Sequence, residues 1–201
     1  MTRLGGLVVI AMIGGCGAAP QPVCLDCGWP DGGKRDDYGA VTRAWTRHDD
    51  LNGDYQEVIA VDATFKSPAW RAAYVAREAR NRGLDATAVD KLRDANKTTA
   101  EQAHEFELIV TTWDRKENEL HRPGAVWKLT LIDDQGKSYE PTKITRDKRP
   151  KSILRAEFPQ VGDFAEAYVA SFPVVIAPGT KSLRLRVASA RGDVELRWDA
   201  R

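Results

Sequence analysis

Apolar and polar residues alternate in short runs along most of this chain, and a period of two is satisfied only by extended strands that bury one face. Leu183, Leu185 and Val187 alternate with Arg184 and Arg186, and Val194, Leu196 and Trp198 with Glu195 and Arg197. Between them, Arg191-Gly192-Asp193 reads as the turn of a hairpin. The same parity groups Ile59, Val61, Ala63 and Phe65, then Phe106, Leu108 and Val110, then Trp127, Leu129 and Leu131, then Tyr168, Ala170 and Phe172. Asp134-Gln135-Gly136-Lys137 turns the chain into a weaker strand from Tyr139 to Thr145, and Ala40 to Arg47 reads as the first strand. Seven to eight strands of this kind predict an antiparallel β-sandwich.

One stretch, about 67–103, breaks the pattern. Ser67 is placed as an N-cap, Pro68 takes the first helical position and Gly83 ends the segment, so a helical insertion between two strands is expected. Trp70, Tyr74 and the Arg77 stem form a stripe able to pack back on the sandwich. A second helix is expected to start at Asp85 or Thr87 and to break near Asn96, where Thr98 and Glu101 repeat a capping-box spacing. Over residues 38–201 the pattern resembles the immunoglobulin-like domains of envelope lipoproteins. It does so without an inter-sheet cysteine pair, since Cys16, Cys24 and Cys27 all precede residue 28.

The N-terminal residues carry an address. Arg3 precedes ten uncharged residues, Leu4 to Ile13, a run suited to a secretory signal and too short to span a bilayer. Ile13-Gly14-Gly15-Cys16 resembles the lipobox of bacterial lipoproteins, with Ile in place of the commoner Leu. The resemblance implies a signal peptide over residues 1–15 and lipid attachment at Cys16, with membrane association through that anchor; Gly17 implies sorting to the outer membrane, facing the periplasm or the surface. Gly17-Ala18-Ala19 offers the alternative of ordinary signal-peptidase cleavage, with Pro20 following unfavourably. Residues 16–37, rich in Pro, Gly and charge, read as a flexible tether spanning ~25 Å on average and ~70 Å at most.

Beyond Cys16, Cys24 and Cys27 stand in a C-x-x-C within a Pro- and Gly-rich stretch. In an oxidising envelope this spacing predicts a local disulfide rather than a redox helix or a metal site. The chain has 30 Lys and Arg against 29 Asp and Glu; without Arg3 the mature chain is balanced at 29 each, which excludes a global field attracting nucleic acid.

No catalytic constellation is legible, and neither a metal nor a cofactor is implied. Asp50-Leu51-Asn52-Gly53-Asp54 starts like a calcium loop but has Tyr55 and Val61 where Gly and Glu belong, so a tight turn at Asn52-Gly53 is expected. His48, His104 and His121 stand far apart, and His104-Glu105 has Leu108 where a second zinc ligand would be. Lys143, Arg146, Lys148, Arg149, Lys151 and Arg155 form the clearest charge imbalance, a candidate anion-binding patch set against a solvated loop around Pro150. Of the six tryptophans, Trp127 and Trp198 fall on inward faces of strands and Trp70 on the packing face of a helix, which leaves Trp113, Trp45 and Trp29 unplaced; Trp113, opposite in parity to Phe106, Leu108 and Val110, is the foremost candidate for an exposed ring. The sequence therefore points to a non-enzymatic envelope lipoprotein that binds or assembles with an envelope protein or glycan. A carbohydrate- or lipopolysaccharide-binding lipoprotein is the alternative, and a hydrolase whose groups meet only in the fold comes third.

Overall fold

The computed structural model describes residues 20–30, 37–53 and 56–201. The expected signal peptide and Cys16 lie outside the described residues, as do Asp54 and Tyr55. The described residues are mainly β, with two antiparallel sheets and four α-helices among them. One sheet has five strands in the order β1 (Thr46–Asn52), β2 (Glu57–Phe65), β3 (His104–Thr112), β7 (Glu166–Phe172), β6 (Lys143–Arg146). The other has four, β5 (Ser138–Tyr139), β4 (Lys128–Ile132), β8 (Ser182–Ser189) and β9 (Gly192–Asp199).

The inner faces are the ones that alternation predicts. Ile59, Val61, Ala63, Phe106, Leu108, Val110, Tyr168, Ala170 and Phe172 are buried on one sheet, facing Leu131, Leu183, Leu185, Val187, Val194, Leu196 and Trp198 on the other. At the centre, Phe106 lies 4.8 Å from Phe65 and 5.2 Å from Trp198 between ring centroids, and Trp198 donates its indole N–H to the Trp45 carbonyl.

Along one side the sandwich is closed by side chains instead of backbone pairing. Arg47 donates from Nε to the Arg197 carbonyl, Asp49 accepts from the Glu195 N–H, and Leu51 packs on Gly192. These three sit at alternate positions of β1, on the face where Ala63, Val61 and Ile59 are their partners. Gly192 has φ 136°, and a Cβ there would stand 2.9 Å from the Leu51 side chain, so the hairpin requires glycine for both reasons. The two turn residues of that hairpin are Ala190 and Arg191, one position before the expected turn, with Gly192 opening β9.

The outer face of the five-stranded sheet is also covered. Helix α2 (Pro68–Arg82) is capped as expected, Ser67 Oγ accepting from the Trp70 N–H and Gly83 adopting the left-handed conformation. Trp70 stacks between Tyr74 and Phe158, the latter fully buried beside α4 (Lys151–Glu157). Helix α3 (Ala86–Gln102), capped by Asp85, runs on without the break expected near Asn96. There the Asn96 amide donates to the Leu92 carbonyl while its oxygen accepts from Arg71, so the side chain supports the helix and also ties it to α2. Arg71 completes the junction by pairing with Glu105 at 2.7 Å.

Three expectations are corrected. Residues 40–45 are not strand: α1 (Tyr38–Trp45) starts at an Asp37 cap and buries Tyr38, Thr42 and Trp45, a helical spacing, and the strand begins only at Thr46. The single strand expected from Tyr139 to Thr145 is two, β5 and β6, belonging to different sheets and separated around Pro141, which cannot donate to a ladder; the strands among the described residues therefore number nine. The tether is partly docked. Val23 forms a parallel bridge with Ala200, Val23 and Leu25 are buried in the core, and the Gln21 carbonyl accepts from Arg47. Composition hid this, because two apolar residues among prolines and glycines suffice when a sheet edge is waiting for them.

Covering both faces of β3 leaves a charge inside. Glu107 is fully buried on the helix-facing side, and Lys66 Nζ lies 2.7 Å from its carboxylate. Burial pushes the Glu107 carboxyl above its ordinary range, and Lys66 pulls it part of the way back. Lys66→Met should therefore cost about 3–5 kcal/mol at neutral pH, whereas Lys66→Met with Glu107→Leu should come within about 1 kcal/mol of the parent. Urea denaturation checks both, and the single variant's deficit should narrow as pH falls, because protonation removes the unpaired charge.

Candidate functional site

Three surfaces gather polar or aromatic side chains, and they differ in whether those groups are already spent on one another. The basic patch is spent. Arg149 bonds to Asp147 and to Glu157 at 2.7 and 2.8 Å, Arg146 pairs with Glu166, Arg155 pairs with Asp163, and Lys151 reaches the Asp163 carbonyl. Although burial raises the Asp147 carboxyl, hydrogen bonds from Arg149 hold it below its ordinary range. Among the described residues only Lys143 and Lys148 of the six cations lack a polar partner of this kind, and of these two Lys148 lines a cavity of about 350 Å³. Residues 151–157 form α4, not the loop weighed against the patch.

The largest of the cavities described, about 450 Å³, lies between α1, the outer face of β1 and β2, and the segment after α4. His48 and Asp62, paired across the two strands, stand on its wall with Nδ1 and Oδ1 3.1 Å apart. Burial pushes the Asp62 carboxyl up while the His48 ring draws it back down. Several other polar groups here are engaged: Arg47 with carbonyls of Arg197, Ala44, Thr46 and Gln21, Glu157 with Arg149 and Arg77, and Thr46 with the Thr64 hydroxyl. The cleft is built as structure. Its volume fits a small ligand, but most of its charged groups already hold partners within the fold.

At the far end of β3 the opposite holds. Trp113 and Phe164 are 66% and 64% exposed and flank a cavity of about 380 Å³ whose rim carries Glu57, Thr111 and Arg115. The Arg115 guanidinium lies 4.5 Å over the Phe164 ring. Among the described residues, no hydrogen bond or ion pair engages the side chains of Glu57, Thr111 or Arg115. Trp113 was marked in the sequence by its outward parity. Phe164 and Arg115 were not, because they reach the groove from the bend before β7 and from a short 3-10 turn after β3, neither of which shares its periodicity.

The remaining sequence candidates fall elsewhere. Cys24 and Cys27 are joined in a disulfide, and Asp26 between them accepts from the Gly179 N–H, so the small loop is pinned to the turn before β8. With both sulfurs bonded together, the cluster Cys24, Asp26 and Cys27 has no thiolate to offer a metal. Asp50 accepts from the Asn52 amide at the end of β1, and His121 lies beside Tyr168.

His104 opens β3 inside the fold. Its ring meets Phe65 edge-on, and Nε2 accepts from the N–H groups of both Val175 and Ile176, so the neutral ring carries its proton on Nδ1. Burial pulls it down to about 4.

No family model and no curated protein matches this chain. Among solved structures it is similar to a protein of unknown function from Burkholderia pseudomallei, with a TM-score of 0.41 and 11% identity over 81% of each chain. A likeness of that degree carries no argument about activity or ligand.

The pH dependence of stability follows from His104. Its lowered value means that the unfolded chain binds the proton first, so stability is lost as pH falls from about 6.5 towards about 4, by up to ~3 kcal/mol over that window. Glu107 and Asp62, both raised, slope the other way and offset part of the loss. In His104→Gln, whose amide oxygen can still accept from Val175 and Ile176, denaturation midpoints between pH 6.5 and 4 should fall less steeply than in the parent.

Proposed function

We propose that this chain is a lipid-anchored envelope lipoprotein with an immunoglobulin-like β-sandwich, working as a non-enzymatic binding or assembly module through the Trp113–Phe164 groove. The observation that carries the reading is the groove itself. Two aromatic rings about two-thirds exposed at one shallow cavity are a cost unless something covers them.

The docked N-terminal segment gives the reading a geometry. Gln21 is held by Arg47 and Val23 by β9, so an anchor at Cys16 stands five residues from the first fixed point, at most about 17 Å of extended chain. The domain then rides close to the bilayer instead of swinging on a long tether. Leu25 and Asp26 share a small cavity with His104, at the start of β3, while Trp113 follows its end, and nine extended residues separate the two by about 27 Å. The groove is thus presented away from the anchored end.

Mass spectrometry of the protein recovered from cells should find Cys16 at the N-terminus with a diacylglyceryl group, and Cys16→Ser should leave the membrane fraction. A chain starting elsewhere, or free of fatty acids, overturns the address. Cross-linking in intact envelopes should capture a partner that Trp113→Ala loses, and an unchanged set of cross-links overturns the role of the groove.

A further inference from the structure

Resting on that reading of the groove, we propose that its occupant is a neutral saccharide. The choice follows from which chemistry would satisfy the groups present. Trp113 and Phe164 offer ring faces, and the apolar C–H face of a pyranose is the complement of an indole plane. The rim carries an anion, Glu57, a cation, Arg115, and a hydroxyl, Thr111, with no hydrogen bond or ion pair engaging their side chains among the described residues.

This mixture selects among ligands. A purely apolar occupant would strip water from Glu57 and Arg115 and return no hydrogen bonds, which is costly for ionised groups. An anionic ligand meets Glu57 and a cationic one meets Arg115, each with a like charge inside a small cavity. Sugar hydroxyls donate and accept from the same atom, so a neutral polyol can accept from Arg115 and donate to Glu57 at once. The cavity, at about 380 Å³, is within the small-ligand range.

The patch at residues 143–155 points to a different ligand, an anion, and its cations are mostly bound to Asp147, Glu157, Asp163 and Glu166. The two surfaces are therefore separable by salt and by ligand charge.

The test titrates the full domain with chitotriose and maltotriose, and with trigalacturonate as the charged counterpart, by saturation-transfer NMR and calorimetry. At least one neutral trisaccharide should bind with a Kd of about 1 mM or tighter, and its affinity should stay within about twofold when salt is raised from about 50 to 500 mM. Trigalacturonate should bind about tenfold more weakly. Trp113→Ala should reduce neutral-sugar affinity about tenfold, and Glu57→Gln or Arg115→Gln a few-fold, each with an unchanged thermal melt because these side chains are exposed. Failure of both neutral sugars to bind at about 10 mM, or binding indifferent to Trp113→Ala, overturns the saccharide assignment. If sugars fail while Trp113→Ala still loses a cross-linked envelope protein, the occupant is a protein and the binding-module reading stands; if neither measurement responds to Trp113, that reading falls as well.

Discussion

The structure depends on β3 being buried on both faces. Phe106, Leu108 and Val110 turn towards the second sheet, and Glu107 and Ile109 turn towards the helical layer. A strand in that position cannot be covered by a sandwich alone, so the chain supplies α2 and α4, whose aromatic stack of Tyr74, Trp70 and Phe158 closes over the sheet. The Lys66–Glu107 pair is a consequence of that closure. Buried pairs of this kind contribute little net stability and are expensive to break, so their presence speaks for positional constraint in the layer between Lys66 and β3.

The two ends of β3 have different characters, and the difference organises the molecule. At its start, His104 holds the segment after β7 through two backbone N–H groups, next to the disulfide loop and the docked Val23–Leu25 segment. The Val23–Ala200 bridge pins the docked segment to the residue that follows β9. Beyond its other end, the backbone carries Trp113 into solvent and Arg115 over Phe164. Packed and exposed side chains are thus segregated to opposite ends of one strand.

Charge in this protein is mostly consumed internally. The cations clustered between residues 143 and 155 looked like a binding surface because sequence distance separates them from Glu157, Asp163 and Glu166; folding α4 and β7 beside them brings the carboxylates into contact. The same process makes Arg47 a structural closure of the β1–β9 seam, where its guanidinium donates to four carbonyls.

What the sequence determined by itself was everything set by local period and local sterics. The inner faces of the strands follow from alternation, and the limits of α2 follow from Ser67, Pro68 and Gly83, each acting on backbone within a turn of itself. The outward parity of Trp113 belongs to the same class. Only tertiary structure decided which edge would accept Val23, that Asp37 would cap a helix where a strand was expected, that residues 138–146 would be shared between two sheets, and which cations would meet acids. Those outcomes depend on surfaces made by residues distant in the chain, and no short window of sequence contains both partners.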